Sequence, residues 1–504
     1  MKKNYLLPWK KQVVFSVFLS AFVFLNVSSV FSYSSFDSTL AKAYSNIFSL
    51  DFTAAEQLLK VEKTECPRND LSLLFEGNIE FLKTILSERK ADFELFKKNN
   101  EIRYKKFEKS KDEASPFYLY APAELMIQEA IVKVKFREYV SAVSLFVKAN
   151  NLIEKNKAAF PTFLLNAKLS GLINVVAGSV PKQFQWLSDL AGIHGTVEVG
   201  KKRLQLLYRS LESSEFSVYR PELLFYLTMI ESVFSVNDRP DSLLLLEYNR
   251  YANSGLLAYS HSNLLMKSGR NDEAIQILND AIQNEKYTFR FLNYKRGLAF
   301  LRRGEWSAAK DEFSLYATEF TGVNYLKSSY QKLSWIALFQ NDTRDYFYFR
   351  NLCKSKGGNL TDEDKDALHE ALSEAPIDTS LLKSRVYFDG GYYSDALRML
   401  LTVSPEKSNR IKDRLEYTYR MGRIMEKTGR TDQALLCYQA VFDAGKDQPY
   451  YFAANSALLI GTIYERQMNR EKAAYYYKLV LGMKDHEYRN SIEQKAKAGL
   501  ERFR

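Results

Sequence analysis

The stretch from Gly195 to Lys202 nearly matches the spacing of a phosphate-binding loop. In such a loop, glycine amides cradle phosphate and a final Ser or Thr binds magnesium. Here the final position is Lys202, and no buried apolar strand precedes the stretch. Residues 197–207 have the apolar spacing of a helix. The sequence therefore predicts a helical turn with coincidental glycine spacing, and no nucleotide site.

A run of acidic residues follows Thr361 and extends from Asp362 to Asp366. A calcium-binding loop would add a central glycine and a terminal glutamate, which this run lacks. A helix capped by Thr361, with acids in the first turn where the helix dipole favours them, accounts for the same residues. We therefore predict a helix start here and no calcium site.

The histidines and cysteines form no metal or redox motif. The four histidines lack a second ligand at a usable spacing and are predicted to be surface or turn residues: His194, His261, His369 and His486. The three cysteines are too widely separated for a zinc site or a disulfide scaffold: Cys66, Cys353 and Cys437. Gly-x-Ser-x-Gly, HExxH and CxxC motifs are also missing. We predict a chain without catalytic residues, cofactor or metal.

Tyrosines are stronger candidates for function, because rigid amphipathic rings suit recognition of a partner. The candidates for partner binding are Tyr387, Tyr393, Tyr464 and Tyr475. A second candidate is a pocket in the N-terminal half at Trp186 and His194, where glycines interrupt the helical pattern. Core packing is the alternative for the tyrosines, and a hydrogen-bonded structural role is the alternative for His194.

The composition favours helices as the elements that position these residues. Only 11 prolines and 21 glycines occur in 504 residues, while helix-forming residues are plentiful. Basic residues alternate with acidic ones along the predicted helices, for example in residues 106–113. This alternation is typical of a solvated helix face and argues against nucleic-acid binding.

Small and large residues recur in the C-terminal half at intervals of 35 to 39 residues. The small positions of the first helices are Ser262, Gly297, Ser384, Gly422 and Gly461, and those of the second helices are Ala274, Ala309, Ala396, Ala434 and Ala473. Small residues allow two helices to approach closely where they cross. Glycine between the helices is expected to end the first one, and a following Asn, Ser, Thr or Asp to cap the second. The stretch 330–352 has the right length but lacks the key alanine.

This pattern resembles the tetratricopeptide repeat across residues 256–484. The resemblance implies an all-α fold, a right-handed α-α superhelix whose concave face binds peptides or partner domains. We predict a repeat array over residues 251–504 and an irregular helical domain with degenerate repeat-like pairs over residues 33–250. Fold analogy alone does not identify the ligand.

The N-terminal half carries weaker copies of the second-helix pattern, at Phe52, Ala55 and Leu59 and again from Tyr139 to Ala149. Between them a long charged helix is predicted near residues 90–113, and Pro221 and Pro240 mark expected helix starts. The order of glycines, proline and aromatic residues from Gly171 to Gly200 resembles the tetratricopeptide repeat protein 39 and inclusion-body clearance protein family. The resemblance suggests an exported bacterial relative of that family.

Residues 1–32 have the layout of a secretory signal peptide, with lysines before an apolar run and small residues at its end. The alternative is an uncleaved inner-membrane anchor at residues 13–31. Removing residues 1–32 takes away four lysines and lowers the formal net charge from +11 to +7. The mature chain is therefore expected to be exported to the periplasm, the outer membrane or the outside.

Together these observations predict a non-catalytic scaffold or adaptor that binds a protein partner of the cell envelope. Two alternatives remain open from the sequence. One is a glycan-binding protein associated with the outer membrane, although only four tryptophans are available for sugar platforms. The other is an enzyme whose site lies in the N-terminal half.

Overall fold

The computed structural model describes residues 36–110, 112–179, 195–235, 242–251 and 254–503. These residues form 24 α-helices and no β-strand. The predicted all-α solenoid is therefore confirmed. None of the helices in the described part of the chain is long and apolar enough to cross a membrane.

Among the described residues, ten helices make up the N-terminal half, and several of them are paired as in a repeat protein. Their bounds are α1 Ser38–Phe48, α2 Phe52–Glu65, α3 Leu71–Ser87, α4 Lys90–Ser110, α5 Phe117–Lys135, α6 Tyr139–Ala159, α7 Asn166–Ser179, α8 Val197–Ser210, α9 Arg220–Phe234 and α10 Ser242–Tyr248. The charged helix predicted near residues 90–113 is α4, and Pro221 stands in the first turn of α9 as expected. Pro240 lies outside the described residues.

Fourteen further helices follow, and most form antiparallel pairs of a first and a second helix. Their bounds are α11 Gly255–Lys267, α12 Asn271–Gln283, α13 Arg290–Arg303, α14 Trp306–Glu319, α15 Leu326–Phe339, α16 Thr343–Ser355, α17 Asp362–Leu372, α18 Thr379–Asp389, α19 Tyr393–Leu400, α20 Ile411–Lys427, α21 Thr431–Gly445, α22 Phe452–Arg466, α23 Arg470–Gly482 and α24 Arg489–Glu501. We call α11–α16 the first array and α18–α24 the second array.

The small residues of the repeat lie where the two helices of a pair cross, as predicted. A Cβ added to Gly461 would lie 2.6 Å from the ring of Tyr477, and one added to Gly422 would lie 2.8 Å from the ring of Tyr438. The alanines of the second helices have no exposed surface. Ser384 uses its hydroxyl at the same crossing to donate a hydrogen bond to the Ala396 carbonyl at 2.9 Å. Close approach thus explains the repeat at atomic level.

The glycines between helices have the predicted left-handed backbone, with φ of +87° at Gly304 and +80° at Gly429. The predicted side-chain caps after them are wrong. Helices α12, α14 and α21 are preceded by Arg270, Glu305 and Arg430, none of which caps through its side chain. Asn271 instead donates to the Ala299 carbonyl at 2.8 Å, so its amide joins neighbouring repeats.

The glycines that interrupt the N-terminal pattern bring α7 and α8 into backbone contact. A Cβ on Gly200 would lie 2.5 Å from the Gly171 carbonyl oxygen, and one on Gly178 would lie 2.5 Å from the Val197 amide nitrogen. Residues from Val197 onward are helical, and Thr196 caps them through the Val199 amide. The spacing that nearly matched a phosphate loop therefore serves helix packing.

The two halves of the chain share extensive contacts. One hydrophobic core extends from Leu40 to Leu292 and so crosses residue 250. The turn after α3 also reaches the first array, because Asn324 donates a hydrogen bond to the Glu88 carboxylate at 2.8 Å. A division of the chain at residue 250 stays a prediction.

The stacking of pairs is interrupted at α17, after the stretch 330–352 that lacks the key alanine. The second array packs against the ends of the first, since the Tyr392 hydroxyl donates to Asp272 at 2.8 Å and accepts from Asn271 at 3.1 Å. Gly269 and Gly391 let the two turns touch, because a Cβ on Gly391 would lie 2.2 Å from the Gly269 carbonyl oxygen. The first helices α13 and α15 of the first array also contact α18 of the second.

Candidate functional site

Several residues predicted to be functional lie outside the described residues. They are the signal peptide at residues 1–32, the alternative anchor at residues 13–31, and the pocket residues Trp186 and His194. These assignments stay predictions.

Tyr387 and Tyr393 lie between the two arrays and are half-buried. The Tyr387 ring packs 5.9 Å from Trp306, and a Cβ on Gly304 would lie 2.7 Å from the Tyr387 hydroxyl. Likewise, a Cβ on Gly269 would lie 3.1 Å from the Tyr393 hydroxyl. Both rings therefore help to hold the second array on the turns of the first.

Tyr464 and Tyr475 belong to one aromatic group on the helix pair α22–α23. Tyr464 stacks on Tyr476 with ring centroids 5.9 Å apart, and Tyr475 meets Tyr476 edge-on at 5.3 Å. Tyr475 stands on the second helix of its pair and is 58% exposed. The structure thus separates the four candidate tyrosines into two locations, and their role in binding stays a prediction.

Helix α17 lies on the inner side of the arrays. The Thr361 hydroxyl accepts a hydrogen bond from the Asp364 amide at 3.2 Å, so the predicted helix start is confirmed. Asp364 in turn accepts from the Ser328 amide at 3.0 Å, and Asp366 accepts from the Tyr488 hydroxyl at 3.2 Å. Because these partners belong to both arrays, α17 forms the floor of the space between them. We call this space the inner cleft.

The inner cleft is lined by charged and aromatic side chains from first helices, from α17 and from the turn before α24. They are Lys295 and Arg302 of α13, Lys332 and Trp335 of α15, Glu363, Asp366 and Glu370 of α17, Arg385 and Asp389 of α18, Glu416 and Arg420 of α20, Tyr451 before α22, and Tyr488 before α24. Polar groups that converge in a concave site suit ligand recognition.

Two cationic side chains lie over the Trp335 ring at the centre of the cleft. The Lys332 ammonium lies 4.1 Å from the centroid of the Trp335 ring, and the Arg385 guanidinium lies 4.7 Å from it. The indole nitrogen donates to the Glu370 carboxylate at 2.6 Å. Burial lowers the pKa of Lys332 to about 8, and the charge of Arg385 lowers it further while Glu370 opposes the shift. Lys332 therefore stays mainly charged at neutral pH.

Lys295 and Arg302 form a second basic group nearer the first array. The Lys295 ammonium lies 5.5 Å from the Phe291 ring and 5.8 Å from the Tyr259 ring. Both side chains are partly exposed, yet burial within the cleft lowers the pKa of each. Burial also raises the pKa of the nearby Glu363 well above its ordinary value, against the charge of Lys295.

The far end of the cleft is a hydrogen-bonded network. Arg420 donates to Glu416 at 2.8 Å, and the charge of Arg420 keeps the pKa of Glu416 below its ordinary value despite burial. The rings of Tyr451 and Tyr488 meet edge-on at 5.4 Å. Tyr488 is 52% exposed and marks the mouth of the cleft on this side.

A separate charged cluster is fully buried in the N-terminal half. The Lys168 ammonium lies 3.1 Å from Glu124 and 3.0 Å from Glu222, and none of the three side chains is exposed. The hydroxyl of Tyr226 donates to Glu222 at 2.5 Å, and that of Tyr44 donates at 3.3 Å. We interpret the cluster as structural, because none of its charged side chains is exposed.

Stability should depend on pH through Glu222. Burial raises the pKa of Glu222 to about 8, and Glu124 adds to the shift while Lys168 opposes it. Because folding raises this pKa, protonated Glu222 stabilises the folded chain fully at pH values below the pKa that it has in the unfolded chain. This stabilisation is lost as pH rises through about 8. Relative to Glu222→Gln, the natural chain should lose on the order of a few kcal/mol between about pH 5 and 8.

Urea unfolding at several pH values measures this difference. Glu198→Gln, which changes an exposed acid of α8, is the control and should follow the natural chain at every pH. A Glu222→Gln variant whose stability runs parallel to that of the natural chain from pH 5 to 8 would show that Glu222 does not titrate in this range.

His261 corrects the prediction that all four histidines are surface or turn residues. It has no exposed surface, and its ring nitrogens lie 3.0 Å from the Leu257 carbonyl and 2.9 Å from the Leu244 carbonyl. Burial lowers its pKa to about 4, so the ring is neutral at pH 7. His261 is a core residue that ties α11 to α10.

Within the described residues, one group of potential metal ligands lies together. Atoms of Asp37, Glu62 and Cys66 are all within 4.8 Å of one another. Asp37 already accepts from the Thr39 and Leu40 amides, and Glu62 accepts from the Asn69 amide at 2.7 Å. These hydrogen bonds explain the placement of both carboxylates without a metal.

Comparison with known proteins gives no family. No protein-family model matches the chain, and no characterised protein matches it by sequence. Among solved structures, the apo form of RapI is 13% identical with a TM-score of 0.27, and the match covers 92% of this chain and 98% of RapI.

Two further solved structures show a similar degree of likeness. Cut9–Hcn1 of the APC/C is 13% identical with a TM-score of 0.26, over 91% of this chain and 95% of that one. The C-terminal part of a TPR repeat-containing protein from Cytophaga hutchinsonii is 14% identical with a TM-score of 0.21, over 48% of this chain and 98% of that one. Scores this low support no statement about function.

Proposed function

We propose that this chain is an exported, non-catalytic scaffold that binds a protein partner of the cell envelope in its inner cleft. The observation that carries the proposal is the convergence of charged and aromatic side chains from both arrays on one concave surface. Lys332, Arg385 and Tyr488 belong to three different repeats, yet all face this space. A segment of a partner that follows the cleft would contact several repeats at once.

The N-terminal sequence supports export. Lysines, an apolar run and small residues stand in the order that secretory signals require. In this proposal the chain is an exported bacterial relative of the tetratricopeptide repeat protein 39 family, released by cleavage after Ser32. Retention by residues 13–31 would place the same scaffold at the inner membrane, facing the same compartment.

A crosslinking pull-down of the tagged full chain from fractionated envelope tests this proposal. We expect the recovered chain to begin near Tyr33 and to bring down one envelope protein in stoichiometric amount. Mass spectrometry of the intact N-terminus and of the captured proteins measures both. Recovery of the uncleaved chain without any partner would contradict the proposal and would favour the glycan-binding or enzymatic alternatives.

A further inference from the structure

Four basic side chains of the inner cleft have no ion-pair partner among the described residues. They are Lys295, Arg302, Lys332 and Arg385. Other bases of the arrays are paired, for example Arg296 with Glu312 and Lys310 with Asp345. Exposed bases such as Arg344 and Lys354 also lack an ion pair among the described residues, but the four named bases share the inner cleft.

Lys332 is the most informative of the four. It is only 8% exposed, and the single hydrogen bond of its ammonium goes to the neutral Gln331 side chain at 2.5 Å. A second cation, Arg385, shares the Trp335 ring with it. A buried charge beside a like charge is costly unless an anion compensates it. Glu370 opposes the charge of Lys332, but no carboxylate of the described residues forms an ion pair with Lys332 or Arg385. The arrangement therefore suits an anionic group from a partner.

Several acids of the cleft have hydrogen-bond or ion-pair partners of their own. Glu370 accepts from the Trp335 indole, and Asp366 accepts from the Tyr488 hydroxyl. Glu363 leaves one buried carboxylate oxygen without a hydrogen-bond partner within the described structure, and burial raises its pKa well above its ordinary value. Glu416 is paired with Arg420, and Asp389 is exposed. None of these acids forms an ion pair with Lys295, Arg302, Lys332 or Arg385 among the described residues.

We propose that the inner cleft recognises an acidic segment of the partner protein, whose carboxylates bind at Lys332 with Arg385 and at Lys295 with Arg302. This inference rests on the proposed function and specifies its partner. Two basic groups on different repeats require an extended segment with at least two acidic side chains. Guanidinium and ammonium groups in a partly buried site form strong charge-assisted hydrogen bonds with carboxylates.

Fluorescence anisotropy with the mature chain tests the proposal. The probes are a labelled oligoglutamate peptide, its oligoglutamine counterpart and a labelled single-stranded DNA. Oligoglutamate should bind at least about tenfold more tightly than oligoglutamine, and Arg385→Gln or Lys295→Gln should each weaken it about tenfold. Arg398→Gln and Lys354→Gln remove exposed charges from second helices and are the matched controls, which should bind as the natural chain does.

Three results would overturn the acidic specificity. Equal binding of the two peptides would show that the site does not recognise carboxylates. Equal losses of affinity in the cleft variants and the control variants would place binding outside the cleft. DNA that binds as tightly and with the same sensitivity to the cleft variants would indicate a general polyanion site. Circular dichroism of each variant verifies folding. If a partner is captured while oligoglutamate fails to bind, the scaffold function stands and only this inference falls.

Discussion

Replacing Lys168 by Met should destabilise the protein by about 3–5 kcal/mol, because it removes the ammonium that bridges two buried carboxyl groups. Glu124 and Glu222 flank Lys168 at 3.1 and 3.0 Å, and water reaches none of the three side chains. Urea unfolding followed by circular dichroism measures the loss. Lys157→Met is the matched control, since its pair with Glu154 is largely exposed and should contribute less than about 1 kcal/mol.

A triple variant separates the loss of the cation from a packing defect. Changing Lys168→Met together with Glu124→Gln and Glu222→Gln removes every charge of the cluster while keeping its volume. This variant should be more stable than Lys168→Met alone, because no uncompensated charge stays buried. A triple variant as unstable as the single one would show that packing, not charge, causes the loss.

Gly391→Ala should cost about 2–3 kcal/mol more than Gly429→Ala. The two glycines have nearly the same left-handed backbone, with φ of +86° and +80°, so both substitutions share the same conformational penalty. They differ in the room available for an added Cβ. A Cβ on Gly391 would lie 2.2 Å from a backbone oxygen of Gly269, whereas one on Gly429 would have nothing within 4 Å. Only Gly391→Ala forces the two arrays apart.

Thermal unfolding and hydrogen exchange measure this effect. The Gly391→Ala variant should lower the unfolding temperature more than Gly429→Ala and should increase exchange around residues 269–272 and 390–393. Equal effects of the two substitutions on stability would contradict a close contact between the arrays, and would weaken the description of the cleft that this contact encloses.

Local repetition made most of the fold predictable from the sequence. Gly461 and Ala473 recur at the spacing of Gly422 and Ala434, and both pairs lie at helix crossings. The same reasoning failed where a side chain has a distant partner. His261 has the sequence environment of any isolated histidine, but in the structure it lies in the core and is hydrogen-bonded to a carbonyl of α10. Asn271 likewise bonds to a neighbouring repeat instead of capping its own helix.

The inner cleft itself could not be predicted from the sequence. Its residues Lys295, Lys332, Arg385 and Tyr488 are far apart in the chain, and the break in stacking at α17 brings them together. The stretch 330–352, which lacks the key alanine of the repeat, precedes that break. The Lys168 cluster was hidden for the same reason, since Glu124, Lys168 and Glu222 belong to three separate helices.

Site-specific photocrosslinking tests most directly whether the inner cleft is the binding surface. Three tyrosines with similar exposure are suitable for a photoreactive phenylalanine: Tyr488 at 52%, Tyr348 at 57% and Tyr475 at 58%. Tyr488 stands at the cleft, Tyr348 lies on the second helix α16, and Tyr475 tests the aromatic group on α23. We predict that a single partner crosslinks in cells from position 488 and not from 348. Crosslinking from 348 or 475 with none from 488 would contradict a partner site in the cleft.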